Sequence, residues 1–444
     1  MRTLLLGSGG RESAMARALG RSGVVSELVA APGNPGMARF AALAEVELES
    51  PSSVLALAQR MGSELVVIGP EAPLVAGVAD LLRDRGLKVF GPGASAALIE
   101  GSKTFAKKVM AQAGIATGKA RAFSALGDAV SFMDELGPPF VIKADGLAAG
   151  KGVVVTEDRS AAVDALEDRL VRGAFGDAGR TVLVEEFLDG EEVSVIGLSD
   201  GRTVIACEPA QDYKRALDFD NGPNTGGMGS YSPVPACPPG RVEAISEDVL
   251  TPVVDALAKD GSPFVGALYA GVVLTDSGPC VMEFNARWGD PETQALLPRL
   301  RSDFGALCAA CATGELAGAE LRWRKEACVS VVLASAGYPG PYVDGMAIRG
   351  LEDAAAVEGA EIFHAGTALS DGELVTAGGR VLSVSALGHT FEQARARAYD
   401  AASRIYWQGR QMRSDIGLRA VQSESLSRSI SAHPASAGKG ESTE

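Results

Sequence analysis

Through the first hundred residues, short apolar-rich runs alternate with longer stretches of helical period. The runs are Thr3–Leu6, Glu27–Ala30, Leu65–Ile68 and Lys88–Phe90, with helices predicted from about Glu12 and about Leu74. A strand covered on both faces reads as a continuous apolar run, and an intervening helix lets the next strand run parallel. The alternation therefore predicts βαβ units around an open parallel sheet. Each run ends in a glycine- or proline-rich turn: Gly7–Glu12, Pro32–Gly36, Gly69–Pro73 and Gly91–Gly93. In open α/β sheets ligands bind beyond the carboxyl ends of the strands, which makes these turns candidate substrate loops. From about Gly101 the pattern changes. A helix over SKTFAKKVMAQAG leads to strands at Pro139–Ala144, Gly152–Thr156 and Thr181–Leu188, the first two joined by a Gly-rich loop. A smaller α/β unit is predicted from about Ala327 to Leu418, with strands near Ser330–Ala334 and Arg380–Ala386 and a helix from Phe391 to about Trp407. Ser423–Glu444 is rich in Ser, Ala and Gly without periodicity, and a disordered tail is expected there.

The length of 444 residues sets an expectation of roughly two to four domains. A formal net charge of −15 argues against binding nucleic acid or an anionic membrane surface, so an anionic substrate would need a local basic pocket. Six cysteines are scattered along the chain, and the one close pair, Cys308 and Cys311, falls one turn apart on an apolar helix, where buried free thiols are expected. The apolar run at the N-terminus is too short for a signal peptide and no 18-residue apolar segment follows, so a cytoplasmic protein is expected.

Candidate chemistry sits in a few segments. In Val281–Glu292, Glu283, Asn285 and Arg287 alternate along a predicted strand and should share one face, with Met282 and Phe284 packed on the other. A carboxylate and an amide oxygen suit Mg2+, which binds through one or two protein oxygens plus substrate phosphates. A strand with one solvated face satisfies the same spacing. Phe140–Val153 places Lys143 and Lys151 on either side of a Gly-rich loop; three residues separate Gly146 from Gly150 and Gly152 follows Lys151, so it is not a Walker A loop. Such a loop can fold over a triphosphate, or be a plain hairpin with a solvated lysine. Glu185, Glu186, Glu191 and Glu192 crowd a turn that could meet the hydroxyls of a nucleoside or simply face water. Glu208–Arg215 and Asp220–Gly229 read as a loop region built for close contact or an ordinary surface loop. Gly7, Gly9 and Gly10 begin a GxGxxG-like turn whose third glycine is replaced by Glu12; a dinucleotide site is not expected, although the loop could present N–H groups to a phosphate.

Together these segments closely resemble the ATP-grasp superfamily and, within it, the phosphoribosylamine–glycine ligases. The resemblance rests on GGRE (Gly9–Glu12), APGNPG (Ala31–Gly36), GPEAPLVAG (Gly69–Gly77), EGSK (Glu100–Lys103), IKADGLAAGKGV (Ile142–Val153), FGDAG (Phe175–Gly179), EEFLDGEE (Glu185–Glu192), GPNTGGMG (Gly222–Gly229) and EFNARWGDPE (Glu283–Glu292). GYPG (Gly337–Gly340), FHAGT (Phe363–Thr367) and SALGHT (Ser385–Thr390) extend it to about residue 420. It implies an N-terminal substrate-binding α/β domain (1–100), an ATP-grasp region (101–326) with an inserted lid at about 122–188, a C-terminal α/β domain (327–422) and a tail (423–444). The implied activity is ATP-dependent ligation of glycine to 5-phospho-β-D-ribosylamine in purine synthesis, with Mg2+ or Mn2+ as cofactor and small molecules as the only partners. A monomer is expected, with a dimer as the alternative.

By the same resemblance Lys103 and Lys143 look like phosphate-binding lysines, and Lys151 belongs to the loop closing over the triphosphate. Glu185, Glu186 and Leu188 look like the adenine hinge, Glu192 like the ribose-binding acid, and Glu283 and Asn285 like the metal ligands. A carboxylate is a poor electrophile, so the implied route forms glycyl phosphate and needs no protein nucleophile. Arg287 and Lys151 are the candidates for charge stabilisation there. Gly9, Gly10, Arg11, Glu71, Asp212, Lys214, Asn224, Thr225 and Arg287 are the candidates for binding glycine and phosphoribosylamine. Three positions depart from frequent family residues: Ser13 and Tyr213 replace histidines, and Ala286 replaces a cysteine. Many ATP-grasp enzymes carry a third metal acid on the preceding strand, and Tyr269–Thr275 offers none. The rival readings are an ATP-grasp enzyme that activates formate or bicarbonate, and a nucleotide-binding regulator without turnover.

Overall fold

The computed structural model describes residues 1–146, 152–174 and 176–432. Five parallel strands, in the order Ala42–Leu43, Glu27–Pro32, Arg2–Gly7, Leu65–Ile68 and Lys88–Phe90, form the N-terminal sheet that the apolar runs predict. Leu4 and Leu6 pack into one apolar cluster and Leu5 into another, so the central strand is buried on both faces. The strand order reverses between Arg2–Gly7 and Leu65–Ile68, and the Glu12 side chain lies against the glycines that follow both runs, Gly7 and Gly69.

Ser102 then starts the helix Lys103–Ala113 by accepting a hydrogen bond from the Phe105 N–H at 3.1 Å, and left-handed Gly114 ends it. Beyond it an antiparallel sheet runs in the order Ala120–Phe123, Val182–Glu185, Phe140–Ala144 and Val153–Thr156, with helices Leu126–Leu136 and Arg159–Leu170 packed on it. Among the described residues its separate core holds ten buried apolar side chains, including Phe132, Ile142 and Leu166. At ~1.5–3 kcal/mol for each large side chain fully buried, so small a core has little to resist local opening. A second antiparallel sheet orders Val204–Ala206, Glu191–Asp200, Val265–Thr275 and Gly278–Asn285.

The third large sheet crosses the boundary expected at residue 326. Its order is Gln211–Asp212, Gly229–Ser232, Ala327–Ala334, Arg380–Gly388 and Ala360–His364, with Gly229 paired to Val331 and Ser232 to Cys328. Two strands of the middle region thus complete the C-terminal sheet, a long-range pairing that composition does not reveal. The expected tail is also corrected. The helix Leu418–Ala432 carries regular structure through Ala432, because Ala420 is buried against the C-terminal core and Glu424 accepts the Phe391 N–H at 3.1 Å, at the start of the helix Phe391–Arg404. Residues 433–444 lie outside the described residues. Cys308 and Cys311 are buried and unpaired on the helix Phe304–Thr313, and burial pushes the Cys311 thiol up to about 12. Among the described residues no helix is long and apolar enough to cross a membrane.

Candidate active site

Three lysines gather where the small antiparallel sheet meets the helix Lys103–Ala113. Glu185, 3% exposed at the end of its strand, pairs with both Lys107 and Lys143. Lys143 also donates to the Met282 carbonyl at 3.1 Å, tying this sheet to the strand Gly278–Asn285. Lys103 donates to the carbonyls of Ala144 (2.8 Å) and Gly146 (3.1 Å), and burial, chiefly, pulls its ammonium below the ordinary lysine value. Asp145, just past the strand Phe140–Ala144, accepts from the Thr104 N–H at 3.1 Å and from Ser102 at 3.2 Å, so that strand's end is tied to the helix start. Lys151 lies outside the described residues. Glu186 is exposed; its carboxylate accepts the Lys119 N–H at 3.0 Å, and its own N–H donates to the Lys119 carbonyl at 2.8 Å. Leu188 is half-buried beyond it.

Across the groove, Lys214 pairs with Glu192 and approaches Glu283 at 3.4 Å. The Lys214 charge, above all, holds the Glu283 carboxyl down at about 2 against the cost of burial, with Lys143 and Lys103 adding to the effect. Burial alone would depress the Lys214 ammonium; Glu192, Glu283 and Asp212 outweigh it and hold it well above its ordinary value. Burial raises the Asp212 carboxyl well above its ordinary value, and Lys214 opposes the rise. The cross-strand partner of Glu283 is Gly271, where a Cβ would lie 3.1 Å from the Glu283 Cγ, so the missing side chain leaves room for the carboxylate stem. Glu292, buried at the start of the next helix, accepts from Ser194 at 2.9 Å, and Ser194 shares a 2.8 Å hydrogen bond with Tyr269.

The strand ends at Asn285, and Arg287 lies in the bend that follows rather than third along the strand face. A register shift between Val281 and Glu283 already breaks the simple alternation. From the bend Arg287 reaches the N-terminal domain: Nη2 is 2.7 Å from Glu100 and Nε 3.2 Å from Glu71. These two carboxylates outweigh desolvation and raise its basicity further. Burial raises the Glu100 carboxyl to about 7, with Arg287 opposing. Arg11 pairs with Glu12, donates to the Trp288 carbonyl at 3.1 Å and lies 4.0 Å from Glu71. Glu12 lies across both strand ends; a Cβ at Gly7 would stand 2.6 Å from its Cγ, and Gly7 has φ +123°. It also accepts the Gly9 N–H at 2.7 Å, so its own carboxylate takes an N–H that the sequence reading offered to a phosphate. Gly9 and Gly10 line a cavity of about 380 Å³ with Ser8, Asn34, Asp290 and Arg380. Arg380 is 3.3 Å from Asp290.

The sequence-derived residues thus fall into three adjoining groups: Lys103, Lys143 and Glu185; Glu192, Asp212, Lys214 and Glu283; Arg11, Glu71 and Arg287. Asn285 stands between the last two. Thr225 is drawn into its own loop, its hydroxyl donating to the Lys214 carbonyl at 2.9 Å and accepting from Gly227. Asn224 ends the hairpin strand before it, half-buried. Ser13 donates to the His364 carbonyl at 2.6 Å, and Tyr213 is buried with its hydroxyl accepting from the Gly417 N–H at 3.0 Å. Both tie domains together. Sequence reasoning missed Lys107, Glu100, Asp290 and Arg380. Lys107 had a local signal, four residues after Lys103 on one helix face, and Glu100 and Asp290 lay inside quoted motifs without being singled out.

Residues 1–100, 101–293 and 328–419 match the N domain, the ATP-grasp (A) domain and the C domain of phosphoribosylglycinamide synthetase. The phosphoribosylamine–glycine ligase of Agrobacterium fabrum is 48% identical over 424 residues, covering 96% of this chain and 100% of that protein. The crystal structure of phosphoribosylamine–glycine ligase from Thermotoga maritima is similar with a TM-score of 0.80 at 33% identity, over 94% of this chain and 100% of that one. The biotin carboxylase domain of Hydrogenobacter thermophilus 2-oxoglutarate carboxylase, solved with magnesium ADP and bicarbonate, shares the fold at a TM-score of 0.71 and 17% identity, over 98% of each chain. With all three domains matched in order and close similarity along nearly its whole length, the chain belongs to the phosphoribosylamine–glycine ligase family of ATP-grasp enzymes.

Proposed function

We infer that the groove between the lysine cluster and the arginine–carboxylate network is where ATP, glycine and 5-phospho-β-D-ribosylamine meet. The reaction is an ADP-forming carbon–nitrogen ligation. A glycine carboxylate oxygen attacks the γ-phosphorus and ADP departs; the amine of phosphoribosylamine then attacks the acyl carbon, loses a proton and expels phosphate, giving glycinamide ribonucleotide. Lys103, Lys107 and Lys143 oppose the charge of the triphosphate, and Lys151, outside the described residues, is assigned the same task by the family resemblance alone. Glu185, Glu186 and Leu188 border the adenine, and Glu192 takes the ribose hydroxyls. Arg287 spreads its planar cation over the oxygens of the forming glycyl phosphate, and Glu71 with Glu100 holds it in place. Gly9, Gly10, Arg11, Glu71, Asp212, Lys214 and Asn224 surround the two acceptor substrates.

The donor set fits Mg2+. Glu283 is ionised by its lysine neighbours and Asn285 adds an amide oxygen from the same strand. An ion held by these two would take its remaining ligands from phosphate and water. When bound it would neutralise charge on phosphate oxygens, and Mn2+ suits the same oxygens. The observation that carries this reading is the position of Arg287, two residues beyond the Glu283–Asn285 pair and held by the N-terminal domain. Purified protein is expected to release ADP only with glycine and phosphoribosylamine both present, and magnesium-dependent turnover should be lost in Glu283→Ala. Formate-dependent turnover without glycine would overturn the reading.

A further inference from the structure

Glu100 stands at the end of the helix Ala94–Gly101, three residues before Lys103, and resemblance gives it no role. Its side chain is 7% exposed and gathers three donors from a single bend: the Ala286 N–H at 2.7 Å, Arg287 Nη2 at 2.7 Å, and the Asn285 amide nitrogen at 3.1 Å, with the amide oriented so that its donors meet acceptors. The same nitrogen reaches the Phe284 carbonyl at 3.3 Å. With the nitrogen claimed by both acceptors, Oδ1 lies on the other side of the amide. An asparagine amide fits its site in either orientation by shape alone, and only its hydrogen-bond partners choose between them. The Ala286 N–H and Arg287 already point donors at the Glu100 oxygens, which are therefore acceptors for Asn285, so Glu100 makes that choice.

We propose that Glu100 is a positioning residue that turns the Asn285 amide so that its oxygen is free to serve the metal, while the same carboxylate fixes Arg287. The inference rests on the assignment of Asn285 as a metal ligand. It couples the metal side of the groove to the cation that faces glycine through one side chain from another domain.

Glu100→Gln offers an amide N–H where the acceptor was, inviting the Asn285 amide to turn and present nitrogen to the metal. Release of Mn2+ from the enzyme–ADP complex, followed by electron paramagnetic resonance of the free ion, is expected to show affinity weakened about ten- to a hundredfold. The Mg2+ concentration for half-maximal activity should rise in parallel. The double variant Glu100→Gln/Asn285→Asp reverses the polarity of the contact, with the Gln amide donating to an aspartate whose other oxygen serves the metal. It should recover most of the lost Mn2+ affinity. A merely structural Glu100 would lower the melting temperature while the folded Glu100→Gln protein kept its Mn2+ affinity, and that result overturns the proposal. Asn285→Ala separates the two levels. If it leaves Mn2+ affinity unchanged, the metal assignment falls and this inference with it; if it weakens Mn2+ while Glu100→Gln does not, the inference on Glu100 falls alone.

Discussion

The two sides of the groove handle charge in opposite ways. On the proposed nucleotide side Lys107 and Lys143 share one buried carboxylate, Glu185, while Lys103 rests on the carbonyls of Ala144 and Gly146. On the acceptor side Arg11, Arg287 and Arg380 meet Glu12, Glu71, Glu100 and Asp290, so every guanidinium is matched. A surplus of cations suits a polyanion that brings its own negative charge. A network in which each guanidinium already has its carboxylates suits glycine, which enters as a zwitterion, and keeps the arginine rigid rather than hungry for any anion. Lysine on one side and arginine on the other follow the same division, since a fork between two carboxylates holds direction and an ammonium does not.

The largest test of this contrast is Arg287→Ala, expected to lower kcat/KM for glycine about a thousandfold, roughly 4 kcal/mol, while the KM for ATP stays close to that of the parent. Steady-state kinetics with each substrate varied in turn decide it, and a rise confined to the ATP constant would break the division between the two sides. Next, Lys143→Met should raise the KM for ATP about ten- to thirtyfold, roughly 1.4–2 kcal/mol, with glycine little affected. A smaller effect concerns pH. Burial, with Arg39 nearby, holds His364 at about 4, below its ordinary value, so it is neutral in the folded protein at neutral pH. As pH falls below about 6.5 the unfolded chain takes up that proton first, and stability is lost until about pH 4, by up to roughly 3 kcal/mol. Denaturant titrations at several pH values should show this slope flattened in His364→Asn. Glu100, raised to about 7, acts in the opposite sense over much of this window, so the comparison that decides is His364→Asn against the parent protein at each pH.

Much of the fold was legible because its signals are local. Thr3–Leu6 and Leu65–Ile68 had to be apolar on both faces, and the strands Phe140–Ala144 and Val153–Thr156 fall within a residue of their predicted bounds. Lys143, Glu185 and Glu283 stood out as candidates for the same reason, each carried by a short motif. What escaped was set by distance along the chain. Glu100 receives the Ala286 N–H from 186 residues away, and no spacing within EGSK announces it. Arg287 was expected on the strand face because alternation continues on paper, whereas the bend after Asn285 carries it to Glu71 and Glu100. The helix Leu418–Ala432 is polar on average, and only its neighbours, Phe391 among them, reveal why it forms.

The composite sheet has a consequence in time. Gly229–Ser232 pairs with Ala327–Ala334, which leaves the ribosome about a hundred residues later. At roughly 5–20 residues per second, that edge waits on the order of ten seconds for its partner during synthesis. An unpaired edge is a template for other chains, so the pace of translation between these two segments bears on how much of the newborn protein reaches the native state.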